Sequence, residues 1–504
     1  MTDGAGETLT DGAGETESIG RKAGRGLGWG LLGNAATRVG SFATALVLAR
    51  LLVPHDFGVY AVALAATQLV LHVNDLGLIP ATIQWRGKLE EMAPTAATIA
   101  AGFSAVIYAG FWFTAPSFAH FSGVPEATPV IRLFTATILI DGFTAVRSAY
   151  LLRTFQQKRY VQANMAGIVA NALVAIGLSL AGAGPMALAG GQVASSLATG
   201  TLVFIWAGLP IRVGLDLPVA RRLMAYGIPL TLSLGVEAVL EQADKVVVGR
   251  FAGATALGFY LLAFSISSWA PGLIGTAIRY VALPGFARLS EKDEQSLSTG
   301  VQRAVPLLVT ALIPIAVLVA VLAEPTISFL YGTKWLPSAQ PLRFLMILMV
   351  VRMLAGVAMD ILMGVGTTRW TLLINLGWVV AMIPALWLGT RLDGGRGAAV
   401  TQAVVGLAVA LPLTVLALHR AGVRVAPIAP RLVRPLLAGA LAAAVAVALH
   451  LVVDRSSFVQ LAVAGTAGLV AYLATAVPRA ELKNWVAAVR PKRPGAQLSG
   501  SASG

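Results

Sequence analysis

The sequence predicts an all-α polytopic membrane protein of about fourteen transmembrane helices: two pseudo-symmetric six-helix bundles followed by two C-terminal helices. The first reason is composition. Of the 504 residues, 57% are hydrophobic and 12% charged, about half the charged fraction of a typical soluble protein. The second is that the apolar runs are continuous and helix-length, without the alternation of a membrane β-barrel. The third is that the sequence around Arg50 recurs around Arg250, which indicates two equivalent halves.

The repeat consists of two windows that align without a gap, and each follows an apolar run of helix length. The shared residues are Arg50, Gly58 and Tyr60 in the first window and Arg250, Gly258 and Tyr260 in the second. In a membrane protein, such duplication is typical of transporters whose substrate path lies between the halves. We expect Arg50 and Arg250 to anchor equivalent helix turns at the outer ends of the helices that lead each half.

The apolar runs set the predicted span boundaries. The predicted spans are 27–49, 58–80, 94–114, 128–150, 161–182, 185–208, 223–248, 256–280, 304–330, 341–366, 369–390, 397–419, 432–453 and 457–477. The domain organisation that follows is a disordered cytoplasmic tail (1–24), an N-terminal bundle (25–208), a cytoplasmic hinge loop (209–222), a C-terminal bundle (223–420), two additional helices (421–480) and a second cytoplasmic tail (481–504).

The net charge of +14 indicates topology rather than nucleic-acid binding, because the basic residues concentrate in alternate loops. This pattern predicts that both termini are cytoplasmic. The chain has no cysteine, which excludes disulfides and thiolate metal sites. Its five histidines lack the spacing of a metal site, so neither a metal nor a cofactor is expected.

Predicted span 7 carries charged residues where lipid would not tolerate them. Glu237, Glu241, Asp244 and Lys245 fall within an arc of about 120° on a helix. Each charge near the bilayer centre costs about 2.5–3.5 kcal/mol, so this face must point into the bundle or into a water-filled cavity. Asp244 and Lys245 are close to the predicted end of the span, where snorkelling or mutual pairing is the alternative.

Predicted span 1 carries Asn34 and Arg38 on one face. With the repeat offset, this face is roughly equivalent to the acidic stripe of span 7, which places both beside a cavity between the halves. A structural ion pair between Arg38 and an acid of span 7 is the alternative.

Three further candidates for the cavity are Arg279, Arg352 and Asp360. Arg279, at the end of span 8, is equally compatible with an interfacial anchor. Arg352 and Asp360 either line the cavity or pair with a neighbouring helix.

Two features are interpreted as structural. The GxGxxG pattern at 28–33 lies inside an apolar helix with no preceding strand, so it does not indicate a dinucleotide site. Trp112, Trp206, Trp335 and Trp387 fall near predicted span ends and are expected among the aromatic residues of the membrane surface. No Walker motif is present, so transport is not expected to use ATP bound to this chain. Coupling to an H⁺ or Na⁺ gradient stays open.

Several segments resemble bacterial polysaccharide-transport proteins of the colanic-acid and teichuronic-acid exporter type. The segments that carry the resemblance are 47–58, 74–84, 248–260, 283–287 and the aromatic-Gly-x-Lys-Trp loop at 331–335. This oligosaccharide flippase family belongs to the superfamily that also contains MATE-type drug antiporters and lipid II flippases. The resemblance covers roughly residues 25–480. It implies a two-lobed bundle and the flipping of polyprenyl-pyrophosphate-linked oligosaccharides by alternating access.

On this hypothesis, Arg38 meets the pyrophosphate together with Arg279 or Arg352, because an anion that leaves the aqueous boundary needs a cation. Glu237, Glu241 and Asp244 would bind sugar hydroxyls or a coupling ion. The expected partners are the lipid-linked oligosaccharide, membrane lipids, and the glycosyltransferases and polymerase of the same pathway. The alternatives are an ion-coupled drug or metabolite antiporter, a membrane glycan polymerase or ligase, and a scaffold for a synthesis complex.

Overall fold

A computed structural model of the protein describes residues 30, 33–74, 89–154, 156–209, 212–269, 294–365, 367–453 and 456–476. Fourteen α-helices make up most of this part, which contains no β-strand. They are α1 (33–51), α2 (Pro54–Asn74), α3 (Leu89–Phe121), α4 (Thr128–Arg153), α5 (Gln157–Leu180), α6 (Pro185–Ala207), α7 (Leu217–Ser267), α8 (Glu294–Val321), α9 (Ala323–Tyr331), α10 (Ala339–Gly364), α11 (Thr368–Val405), α12 (Leu411–Arg420), α13 (Ala429–Val452) and α14 (Ser457–Ala476).

Within these residues, ten helical stretches are long and apolar enough to cross a membrane. Two long helices each contain parts of two predicted spans. The helix α7 breaks at Gly253 (φ 81°, ψ 173°), which separates spans 7 and 8. The helix α11 breaks at Asp393 and Gly394, and its second part continues through a π-helical turn (Gly406–Ala410) into α12. Each predicted span overlaps a helix, and the predicted all-α polytopic fold is confirmed.

The two halves touch through a symmetric contact between the first turns of α2 and of the second part of α7. A Cβ atom at Gly58 would lie 1.7 Å from the carbonyl oxygen of Ala254, and one at Gly258 would lie 1.8 Å from that of Pro54. Positions 54 and 58 therefore exchange with 254 and 258, as a pseudo-twofold axis requires. Only glycine permits so close an approach of the two backbones.

The duplication also includes a polar pair inside each half. The hydroxyl of Tyr60 accepts a hydrogen bond from Gln192 Nε2 (3.4 Å), and the hydroxyl of Tyr260 accepts one from Gln402 Nε2. Tyr60 and Tyr260 belong to the repeated windows, whereas the two glutamines lie on α6 and α11, 210 residues apart. The helix α6 therefore lies against Tyr60 in the N-terminal half as α11 lies against Tyr260 in the C-terminal half.

The connector between the halves is fastened to the N-terminal half. The backbone N–H groups of Gly214 and Asp216 donate to the hydroxyls of Thr98 (3.3 Å) and Thr95 (3.0 Å) on α3. Leu223, in the second turn of α7, packs in a buried cluster with residues of α3 and α4. Residues 217–222 of the predicted hinge loop therefore form the first turns of α7, and Gly214 and Asp216 just before them are docked on α3.

Trp335 corrects one expectation. Its side chain is fully buried, its ring packs edge-on against Phe57 (4.9 Å between centroids), and its indole N–H donates to the carbonyl of Ala49 (2.8 Å). The assignment to the membrane surface was wrong, because the loop at 331–335 folds inward onto the end of α1. The indole N–H finds a backbone acceptor there instead of the lipid boundary.

The symmetric glycine contact generates a stability prediction. Replacing Gly58 or Gly258 by alanine should lower the free energy of unfolding by about 1–3 kcal/mol, because the added methyl must push the two backbones apart. Thermal unfolding of the purified protein in detergent would measure this. Gly356→Ala is the matched control, because a Cβ at Gly356 meets no atom within 4 Å. Equal melting temperatures for all three variants would contradict the contact.

Candidate functional site

A cavity of about 320 Å³ lies at the boundary between the two halves. The helix α2 of the N-terminal half contributes Leu64 and Gln68. The helix α7 contributes Glu241, Gln242, Lys245, Leu261, Phe264 and Ser265, and Ser268, which follows its last residue, completes the lining. Because both parts of α7 face α2 here, any relative movement of the halves changes the shape of this space.

Glu241 is the acidic side chain of the predicted stripe that faces the cavity. Its side chain is exposed, whereas Asp244 and Lys245 are each only 4% exposed. Lys245 Nζ donates to the carbonyl of Glu241 (3.1 Å), in the preceding turn. The stripe therefore divides into an accessible carboxylate and a buried ion pair.

The buried ion pair is part of a small hydrogen-bonded network. Lys245 Nζ lies 3.3 Å from Asp244 Oδ1, and the hydroxyl of Tyr260 donates to Asp244 Oδ2 (2.7 Å). Gln402 of α11 donates in turn to the hydroxyl of Tyr260. Charge neutralisation and these hydrogen bonds offset the cost of removing both ions from water. The carboxylate of Asp244 is thereby engaged within the C-terminal half.

Arg352 contacts an aromatic ring that lines the cavity. Its guanidinium lies 5.5 Å from the ring centroid of Phe264, which lines the cavity, and Lys245 Nζ lies 4.7 Å from the same centroid. Both cations are held by cation–π attraction. Asp360, two turns further along α10, is buried at 5% exposure. Arg352 is thus the member of this pair that lies near the cavity.

Arg38 lies on the face of α1 that points to the other half. Its Nε donates to Asn34 Oδ1 (3.1 Å), one turn earlier. One turn later on the same face, Phe42 packs against Trp269 (3.9 Å between centroids) and Tyr331 (6.5 Å), both of the C-terminal half. The described side chains include no acid of α7 that forms an ion pair with Arg38.

The side chains of two predicted site residues lie outside the part of the chain that the structure describes. The backbone of Glu237 is helical within α7, but its side chain lies outside the described part, as does the whole of Arg279. The structure therefore gathers Glu241, Lys245 and Arg352 around one cavity, with Arg38 on the same boundary between the halves.

The sequence interpretation missed the neutral members of the site. Gln68, Ser265 and Phe264 line the cavity, but a single amide, hydroxyl or aromatic residue in an apolar helix has too little polarity to mark a site. Gln402 and its symmetric equivalent Gln192 could have been found by extending the repeat with a shifted offset. No group of three or more His, Asp or Glu side chains that could hold a metal occurs among the described residues.

Residues 47–340 match the family described as Polysaccharide biosynthesis protein, which is more than half of the chain. The protein belongs to this family. One curated relative of this family member is the succinoglycan biosynthesis transport protein ExoT of Rhizobium meliloti (strain 1021), 24% identical over 311 residues, 62% of this chain and 63% of the relative. Another is the teichuronic acid biosynthesis protein TuaB of Bacillus subtilis (strain 168), 28% identical over 123 residues, 24% of this chain and 25% of the relative. The chain thus aligns with less than two thirds of the length of either relative.

Among solved structures, this polysaccharide biosynthesis protein is similar to the lipid II flippase MurJ in an inward closed conformation. The TM-score is 0.75 at 13% identity, over 90% of this chain and 99% of that one. An inward-facing multidrug resistance MATE family transporter of the MOP superfamily gives a TM-score of 0.63 at 15% identity, over 76% of this chain and 94% of that one. At these identities the likeness shows a shared fold. The family resemblance seen in the sequence is confirmed.

The buried ion pair generates a prediction about coupled substitutions. Lys245→Met should lower the free energy of unfolding by about 3–5 kcal/mol, because it leaves a buried carboxylate without its cation. The double variant Lys245→Met with Asp244→Asn should recover most of that loss, as measured by unfolding in detergent. Glu241→Gln serves as the control and should stay within about 0.5 kcal/mol of the parent, because its side chain is exposed. A double variant as unstable as Lys245→Met alone would show that the two charges are not coupled.

Proposed function

We propose that the protein translocates polyprenyl-pyrophosphate-linked oligosaccharide units across the cytoplasmic membrane by alternating access, for the biosynthesis of a cell-surface polysaccharide. The observation that carries the proposal is the cavity at the boundary between the halves, lined by Gln68 of one half and by Glu241 and Lys245 of the other, in a member of the polysaccharide biosynthesis protein family. The names of the relatives, which include a biosynthesis transport protein, support transport rather than glycan polymerisation.

The distribution of charge supports an orientation for the cargo. Arg38 lies on the face of α1 that points to the other half, Arg352 lies beside the cavity residue Phe264, and a guanidinium offers paired donors that match pyrophosphate oxygens. Glu241, Gln68 and Ser265 provide oxygen and amide groups that suit sugar hydroxyls, and the Glu241 carboxylate repels a pyrophosphate. The pyrophosphate would therefore sit towards α1 and α10, and the glycan between α2 and α7. The polyprenyl chain would stay in lipid.

The contacts of the connector with α3 determine where we expect the chain to bend when the halves move. Because Gly214, Asp216 and Leu223 are attached to the N-terminal half, rocking about a free loop at 209–222 would first have to break these contacts. We place the bending further along α7, between Leu223 and the cavity residue Glu241. Gly227, Pro229 and Gly235 in this stretch weaken helix stiffness. The other five parts of the domain organisation predicted from the sequence are retained in this proposal, with the tails in the cytoplasm.

An ion-coupled drug or metabolite antiporter is the second candidate. It is favoured by the exposed carboxylate of Glu241, which suits an organic cation, and by the fold shared with a multidrug resistance transporter. The same carboxylate is where we place coupling to H⁺ or Na⁺, if a gradient drives transport. The pathway partners proposed for the flippase are the glycosyltransferases that build its cargo and the polymerase that consumes it.

The proposed function predicts that Arg38→Ala and Glu241→Gln each slow flipping by about tenfold or more, the effect of losing one hydrogen bond to a charged group. The measurement uses the purified protein in liposomes that contain a polyprenyl-pyrophosphate oligosaccharide. It records how fast the glycan becomes accessible to a membrane-impermeant reagent on the far side.

The matched control is Arg396→Ala, because Arg396 is exposed and forms an ion pair with Asp393 (3.4 Å), away from the cavity. This variant should flip at the parent rate. Normal flipping by both Arg38→Ala and Glu241→Gln would refute the cavity assignment. Efflux of a quaternary ammonium dye by liposomes that lack lipid-linked glycan, together with no flipping by the parent, would favour the antiporter.

A further inference from the structure

The duplicated arginines each bind the end of a helix in the opposite half. Arg50, at the end of α1, donates from Nη2 to the carbonyls of Phe329 (2.7 Å) and Leu330 (3.0 Å) and from Nε to Leu330 (3.1 Å). These carbonyls belong to the last turn of α9. Such groups have no partner within their own helix, and the negative end of the helix dipole attracts a cation there.

The loop that follows α9 returns the contact. Lys334 Nζ donates to the carbonyls of Arg50 (2.9 Å) and Leu52 (2.7 Å), and the buried indole of Trp335 donates to that of Ala49. The ends of α1 and α9 therefore cap each other across the boundary between the halves. We call this reciprocal contact, formed by Arg50, Lys334 and Trp335, the Arg50 latch.

Arg250 makes the symmetric contact in the other direction. Its Nη1 donates to the carbonyl of His120 (3.1 Å), in the last turn of α3. The neighbouring Gly249 lies so close to the next loop that a Cβ there would be 2.8 Å from the carbonyl oxygen of Ser122. We call this contact of Arg250 with the end of α3 the Arg250 latch.

The two latches are equivalent in position and unequal in strength. The helices α3 and α9 end the third span of their respective halves, so each arginine reaches the corresponding helix of the other half. The Arg50 latch combines three bonds from one guanidinium with three from Lys334 and Trp335, whereas the Arg250 latch has a single arginine bond. Hydrogen bonds that involve a cation are the stronger kind, so this inequality is large.

Both latches lie at one end of the boundary between the halves, and the cavity lies further along the same boundary. Both lie beyond the Gly58–Ala254 contact, at the end of the boundary where α2 and the second part of α7 begin. The cavity residues Leu64 and Gln68 lie further along α2. The latches and the glycine contact therefore lie between the cavity and this end of the boundary.

We propose that the Arg50 and Arg250 latches close this end of the cavity, and that both must release before the cavity opens on that face of the membrane. The Arg250 latch, with fewer bonds, yields first, and the stronger Arg50 latch yields last. The inference concerns how the halves open and holds whichever cargo the cavity carries, so it can succeed or fail apart from the proposed function.

The absence of cysteine makes a direct test available. A single Ser265→Cys change puts one thiol at the cavity in a background without others. A membrane-impermeant maleimide is applied to intact cells and, separately, to inverted membrane vesicles. On the latch face, labelling should rise about threefold or more for Arg250→Ala and about tenfold for Arg50→Ala, which loses more bonds. Labelling from the opposite face should fall in parallel.

Arg132→Ala is the matched control, because Arg132 donates to a carbonyl within its own half, that of Trp112 (3.1 Å). It should label like the parent. Arg50→Lys extends the test if Arg50→Ala does not insert, since lysine keeps the charge but cannot bind two carbonyls with a planar fork. Unchanged labelling in the Arg50 and Arg250 variants, or an equal rise in Arg132→Ala, would overturn the proposal.

Discussion

Charge-assisted capping of helix ends across the boundary between the halves is the interaction on which the rest of the structure depends. A helix that ends near lipid leaves its last carbonyl groups without partners, because the hydrocarbon chains of the lipids cannot donate hydrogen bonds. Arg50 and Lys334 supply donors from one half to the other, and Arg250 does so in the opposite direction. Because these groups need partners, the halves must meet there, and the backbones of α2 and α7 can then approach as closely as Gly58 and Gly258 allow.

The same balance between desolvation and pairing divides the charged stripe of α7 into two environments. Asp244 and Lys245 are withdrawn from water together and share a hydrogen-bonded network with Tyr260. Glu241, one turn earlier, has an exposed side chain and faces the cavity. A helix can therefore carry two acids a turn apart with different tasks, one fixing the packing of the C-terminal half and the other available to a ligand. The burial of Asp244 and the exposure of Glu241 determine which acid has which task.

The fold was largely predictable, and particular residues show why the site was less so. Apolar runs of helix length are forced by the thickness of the membrane, so each predicted span overlaps a helix, although bounds such as 94–114 against Leu89–Phe121 differ by several residues. The repeated windows around Arg50 and Arg250 indicated the two halves. The position of Trp335 was wrong, because a loop that folds inward has the same composition as one at the membrane surface. The cavity lining from Gln68 and Phe264 has no sequence signature, since isolated residues of these types are common in buried helices.

Sequence alone was enough to identify the chain as a duplicated, all-helical membrane protein of the polysaccharide biosynthesis family, with charge inside its spans. Hydropathy, spacing and repetition are properties of a linear chain. An apolar segment in the bilayer must satisfy its own backbone hydrogen bonds, and it therefore forms a helix. The three-dimensional packing was needed to show that Arg50 and Arg250 join the halves, that Asp244 pairs with Lys245, and that Glu241 faces the cavity. Each depends on which group of a distant segment lies within about 3 Å, and at that range hydrogen bonding and desolvation determine the role of a residue.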